Sequence, residues 1–280
     1  AASGALLPAA DPAADSTDPA AASGTEIAPS PSSALKALFD ASALDDGDFA
    51  YLLADTVAWA VQYGAKQPLC AVLAGARDGA ERVRLFATYT KATFYPTLET
   101  GGASTYATSY LALPTLGAER NARQWLWQQC SELGWFQVRP TASPSGALRA
   151  PSVNRDYFAE LCKDAFGVAL RPDADAIRRD FVNAARGATN LFLTFGHDDP
   201  WQASWPDHSF EQRAVGQRRL RLDCTGCAHC SDLGATSDRV LARAQAEGIL
   251  TIQCWLGRNE SSSAGDDAGA CDHGSGPVVP

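Results

Sequence analysis

Residues 188–201 read Ala-Thr-Asn-Leu-Phe-Leu-Thr-Phe-Gly-His-Asp-Asp-Pro-Trp. Residues 190–195 form a short apolar run of strand type, and a polar segment, 196–201, follows at once. Downstream, residues 219–224 (RLRLDC) alternate polar and apolar side chains and read as a second strand, with a polar loop over 225–236. Ser237 then caps a helix through Val240, Leu241 and Ala244 that runs past Gly248 towards Trp255. Strand, loop, long connection, strand, loop, helix is the syntax of an α/β sheet with functional loops at its strand ends.

Upstream the pattern is helical. Residues 154–166 form an amphipathic helix carrying Cys162, and a further helix is expected over 118–131. Residues 76–96 hold another, stopped near Pro96, and the Gly, Ser and Thr of 100–108 read as a loop. Phe49, Leu52, Leu53, Val57, Ala60 and Val61 recur at helical spacing behind Asp48, read as the cap, with Gly64 placed to end that helix. Ser32 and Ser33 can cap a short helix through Leu35, Leu38 and Phe39.

Composition limits what this chain can do. Of its 280 residues, 46% are hydrophobic, enough for a sizeable core, but no apolar run approaches the ~18–20 residues of a bilayer-spanning helix. The net charge of −9, with 32 acidic against 23 basic residues and one short basic cluster over 213–221, argues against nucleic acid as a partner. Residues 1–33 lack Lys, Arg and aromatics and read as a disordered low-complexity tail without the pattern of a signal peptide. Residues 259–280 read as a second such tail, so the foldable part is 34–258. The first residue is Ala rather than Met, which allows for upstream sequence, and no internal repeat is visible. Eight cysteines lean towards an oxidising compartment, where the sequon at Asn259 would be open to glycosylation.

The chemistry-bearing pair is Asp199 after the first strand and His229 after the second. An acid followed a strand later by a histidine is the order in which an α/β-hydrolase presents its acid and base. The carboxylate accepts the Nδ1 proton of the imidazole, which leaves Nε2 free to activate a serine hydroxyl. Pro200 biases Asp199 towards an extended backbone.

Four blocks make the reading specific: VQYGAKQPLC (61–70), RQWLWQQCSELGWFQ (123–137), ATNLFLTFGHDDPW (188–201) and CAHCSDL (227–233). In this order they resemble the prolyl carboxypeptidase-like serine peptidases, the family of lysosomal Pro-X carboxypeptidase, dipeptidyl-peptidase II and thymus-specific serine protease, and the thymus-specific type most closely. The resemblance implies that Asp199 is the triad acid, with Asp198 as runner-up, and that His229 is the base. It implies that Trp201, and with it Trp135, lines the pocket for proline at the cleavage site, where a flat ring packs on pyrrolidine. It also implies a disulfide between Cys130 and Cys162, contributing roughly 3–4 kcal/mol in the chain-entropy picture.

The chain departs from the family at two places. Phe195 stands where the family has Asn, and no Gly-x-Ser-x-Gly elbow occurs. Ser104 and Ser109, in a polar loop, are rejected as nucleophiles. The implied fold is therefore a partial α/β-hydrolase: a helical cap (insertion) portion over 34–122 and the C-terminal part of the hydrolase domain over 123–258, with the serine-bearing half not represented. Strands without their sheet neighbours would expose edges, so poor solubility or a loosened hydrolase half is expected.

Cys224, Cys227, His229 and Cys230 could be taken as a Cys₃His zinc set, but four ligands within seven residues crowd a tetrahedron. The resemblance assigns His229 elsewhere and leaves those cysteines as disulfide partners or free thiols; no metal or other cofactor is called for. Trp125 and Trp127 are expected to pack in the core, and His197, His208 and His273 to be loop or tail residues. The expected function is a serine-type exopeptidase cleaving near a chain end after proline or a small residue, the chain alone being inactive. The alternative is a non-catalytic peptide-binding pseudoenzyme of the same fold. A peptide is the expected partner, a homodimer is left open, and the resemblance implies a lysosomal, vesicular or secreted location.

Overall fold

The computed structural model describes residues 31–115, 117, 120–140, 147, 149–204 and 216–257. The tails over 1–30 and 258–280, with Asn259 and His273, and the segment holding Trp205 and His208 lie outside the described residues. Among those described, nine α-helices accompany two β-strands.

Helix α1 (Pro31–Leu38) already includes Ser32 and Ser33, so 31–33 belong to the folded part rather than to the tail. Helix α2 (Asp46–Gln62) is capped at Asp45 and ends before Gly64, which takes φ +77°. Asp48 is therefore not a cap. It is buried in the first turn, where its carboxylate accepts from the Thr108 N–H at 3.0 Å and the Tyr157 hydroxyl at 2.9 Å. It thus joins three helices through one charge, and burial raises its carboxyl above the usual range.

Helices α3 (Lys66–Ala74) and α4 (Gly79–Tyr89) follow, and α4 runs into a π turn, Thr90–Phe94, before Pro96 stops it. The 100–108 segment is a short 3₁₀ turn, Ala103–Tyr106, leading into α5 (Thr108–Ala112). One core gathers Phe39, Phe49, Leu52, Phe94 and Tyr95. A second, adjoining it, packs α6 (Asn121–Gln128) and α7 (Arg155–Phe166) around Leu126, Phe158 and Leu161 against α2 and α5. A disulfide between Cys130 and Cys162 crosses this second core. Helix α8 (Ala174–Gly187), which the sequence reading passed over, leads into the strands.

Strands β1 (Leu191–Gly196) and β2 (Gln217–Leu222) pair in parallel, Leu191 opposite Gln217 and Gly196 opposite Leu222. Parallel pairing requires a long crossover, which is what makes the strand-to-strand stretch legible as α/β. Helix α9 (Arg239–Trp255), capped by Asp238 rather than Ser237, packs Leu241 and Ala244 onto Leu222 and Cys227. Farther along, Ile249, Leu250, Ile252 and Leu256 are exposed. No described helix is long and apolar enough to cross a membrane.

Candidate active site

The two parallel strands deliver their C-terminal ends to one place, and the loops that leave them interlock. The His197 N–H donates to the Leu222 carbonyl at 3.1 Å, and the Asp198 N–H to the Cys227 carbonyl at 2.8 Å. Gly196 makes that approach possible: a Cβ there would stand 2.6 Å and 2.7 Å from the carbonyl oxygens of Ala228 and Cys227. Asp199 follows in a tight turn, its Oδ1 accepting the Trp201 N–H at 2.8 Å. Its Oδ2 lies 3.0 Å from Nδ1 of His229. Asp199 is the more buried partner, at 14% side-chain exposure against 33% for His229. Among the described residues no hydrogen bond engages Nε2 of His229.

Two contacts from the helical part fix these loops. The His229 N–H donates to the Gln62 carbonyl at the end of α2, at 2.8 Å. Lys66, opening α3, pairs with Asp198 at 2.5 Å, and this hydrogen bond holds the Asp198 carboxyl below its ordinary value. The runner-up acid is thus occupied by an ammonium, while Asp199 faces the imidazole. On the other side of the base loop, Thr194 Oγ1 donates to Asp232 at 2.8 Å, and Gln245 on α9 holds the Asp232 and Gly234 carbonyls.

Aromatic rings line the space before His229. Trp201 stands 6.2 Å from the imidazole, centroid to centroid, and Trp135 lies 5.4 Å from Trp201. Trp135 is placed by a π turn, Gln129–Leu133, that extends α6 and ends at Gly134 with φ +62°. Trp125 meets Trp201 at 6.0 Å. Trp125 and Trp127 are 37% and 44% exposed, so the expectation of core packing fails for both; only Leu126 between them is buried. The cavity bounded by these rings and His229 measures about 1060 Å³. A neighbouring cavity of about 490 Å³ runs between α2, Trp135, Pro200 and Arg149.

Cys224 and Cys227 form a disulfide, which removes both as thiolate ligands of a zinc ion. Cys230, beside His229 with φ +58°, is free, and what burial it has pushes its thiol up rather than down. Ser104 and Ser109 sit far along the chain from these loops, and the Ser104 hydroxyl donates to Thr100. Sequence reasoning missed Gln62 and Lys66, and with them Asp55, which lines the larger cavity. Asp55 carried a signal, being a charge at helical spacing between Leu52 and Trp59 on the apolar face of α2.

A histidine held through Nδ1 by a carboxylate and lining an aromatic cavity is the arrangement in which hydrolases present an acid and a base. Residues 35–244 match the model of the serine carboxypeptidase S28 family. The chain belongs to that family. It is similar to the Arabidopsis thaliana protein named probable serine protease EDA2, with 32% identity over 203 residues, 71% of this chain and 40% of that protein. A Caenorhabditis elegans protein named as a serine protease shows 26% identity over 164 residues, 54% of this chain and 31% of its own length. The chain thus spans well under half the length of the curated relatives it matches.

Proposed function

We propose that the chain supplies the acid and the base of a serine-type exopeptidase of the α/β-hydrolase class. The observation that carries the reading is the 3.0 Å contact between His229 Nδ1 and Asp199 Oδ2, with His229 lining the larger cavity. In this role Asp199 fixes the tautomer and supports the imidazolium. His229 takes the proton of the serine hydroxyl as acylation begins and returns it to the leaving amine. Water then attacks the acyl carbonyl as His229 removes its proton, and His229 returns that proton to the serine oxygen as the acyl group leaves as a free acid. Trp201 and Trp135 form the wall for a proline or small residue at the cleavage site. No Gly-x-Ser-x-Gly segment occurs in the 280 residues, so the nucleophile is assigned to sequence outside them. Cleavage after proline and a vesicular or secreted location rest on the family resemblance and on the disulfides.

Two measurements test this. A fluorophosphonate probe should label no serine of the isolated chain, and a labelled Ser104 or Ser109 would overturn the assignment of the nucleophile. In the protein as the cell makes it, His229→Ala or Asp199→Asn should lower kcat on a proline-containing peptide by about 10⁴-fold. Activity unchanged in both variants would end the reading. Peptide binding without turnover, abolished by Trp201→Ala, would move the protein to the pseudoenzyme alternative.

A further inference from the structure

Helix α6 turns its two tryptophans to opposite sides, because two residues advance a helix by about 200°. Trp125 lines the cavity before His229, whereas Trp127 lines a third cavity, of about 520 Å³. Arg120, Arg123, Gln124 and Gln128 share that face of the helix at spacings of one and two turns, and Thr115 adds a hydroxyl. The apolar wall is Trp127 with Phe166 from the end of α7, their rings meeting edge to face at 5.0 Å. This contact fixes the indole while 44% of Trp127 stays exposed. Two guanidiniums one turn apart enter the same space. Arg120 Nη2 donates to the Tyr110 and Leu113 carbonyls at 3.0 Å each, and Arg123 Nη1 to the carbonyls of Leu111 and Ala165. Nε of Arg120 is buried without a hydrogen-bond partner among the described residues. Neither arginine forms an ion pair among the described residues, and no lining residue is acidic. Glu99, which holds the Tyr110 hydroxyl and the Ala122 N–H, is not part of the lining.

We infer that this face of α6 is a binding site for an acidic sugar, a pyranose bearing a carboxylate or a phosphate, separate from the peptide site. Charge selects the anion. A guanidinium offers five donors in one plane, and those not spent on helix carbonyls match the oxygens of a carboxylate or phosphate. The rest of the lining selects the sugar. The amides of Gln124 and Gln128 and the Thr115 hydroxyl suit a ligand that presents hydroxyls around its edge. The indole suits a flat C–H face, whose polarised hydrogens meet the negative face of the ring. An acidic peptide would supply the anion but few hydroxyls. Five of the seven lining residues are polar, whereas rings dominate the cavity before His229. The volume lies in the range of small-molecule sites.

Calorimetry on the protein as the cell makes it tests this without reference to turnover. Methyl glucuronide, glucose 6-phosphate, methyl glucoside and the acidic dipeptide N-acetyl-Asp-Glu-amide serve as probes. For ligands of this size the better acidic sugar should bind with a Kd of about 1 mM. It should bind about tenfold or more tightly than methyl glucoside, with a gap that narrows as salt is added. The tighter of the two acidic sugars assigns the anion to a carboxylate or to a phosphate. Its affinity should fall about tenfold in Trp127→Ala and about threefold in Gln124→Ala, both at exposed positions, and stay unchanged in Trp201→Ala. Binding that survives both α6 variants, or that falls with Trp201→Ala instead, overturns the site. Equal affinity of charged and neutral sugars overturns the part given to the arginines. A dipeptide that binds as tightly as the better sugar overturns the sugar in favour of an acidic peptide, and binding of none of the four overturns the site altogether.

Discussion

Removing the Cys130–Cys162 disulfide tests how much of the helical core is held by its covalent tie. Both half-cystines are buried, at 0% and 1% exposure, and the bridge closes a loop of sequence separation 32 between the π turn after α6 and the middle of α7. In the chain-entropy relation, −2.1 − 1.5R ln n with n near 32 gives about −12 cal/mol/K, or about 3.7 kcal/mol at 25 °C. Cys130→Ala/Cys162→Ala should therefore lose about 3–5 kcal/mol, the upper part reflecting the small void left in a close-packed core. For a folded unit of this size that is a fall in Tm of about 7–15 °C. Urea unfolding followed by far-UV circular dichroism gives the free energy, and reduction should destabilise the unaltered chain more than the double variant by about the same amount, since both share the Cys224–Cys227 bridge. Trp135 leaves the same π turn, so the fluorescence of the aromatic wall should change before the main transition. A loss below about 1 kcal/mol in both experiments would refute the claim that loop closure stabilises this core.

Three other outcomes follow from the site's construction. Gly196→Ala places a methyl against two backbone carbonyls that cannot yield independently, and should cost about 1–3 kcal/mol while lowering peptide affinity; an unchanged urea midpoint would contradict the close approach of the two loops. For the half-exposed Lys66 and the more buried Asp198, a double-mutant cycle with Lys66→Met and Asp198→Asn should give a coupling of about 0.2–1 kcal/mol that declines with salt; zero coupling at low ionic strength would dissolve the pair. Folding favours the protonated form of Asp55, so its contribution is complete below the unfolded value near 3.8 and is lost as pH rises through the higher folded value. Measured from about pH 4 to 7, the stability difference between wild type and Asp55→Asn should shift steadily in the variant's favour, and a flat difference would refute it.

The meeting of the Asp199 and His229 loops was legible because its signals are local. Asp-Pro-Trp and Ala-His-Cys each follow an alternating or apolar strand, and parallel pairing then carries both to the same end. What the sequence reading lost lies in contacts between distant elements. Asp48 looked like a cap because a short acid ahead of an apolar periodicity usually is one; only the fold shows Thr108 and Tyr157 arriving to bury it. Trp125 and Trp127 looked like core because of their size, yet the helix turns both outward around the buried Leu126. Helix α3 was hidden by Pro68, which is tolerated in a first turn, and α8 by its many charges. The grip of Gln62 on His229 runs through a main-chain carbonyl, which no side-chain pattern can announce.

That grip ties the shape of the cavity wall to the seat of His229. The segment of α2 that forms the cavity wall at Asp55 and Trp59 also ends in the carbonyl that accepts the main-chain N–H of His229. A one-residue insertion between Trp59 and Gln62 would rotate the downstream turn by about 100° and advance it by about 1.5 Å, shifting the carbonyl that anchors His229 relative to the wall. Change in the lining of the cavity is therefore confined to side-chain exchanges on a helix whose length its hold on His229 fixes.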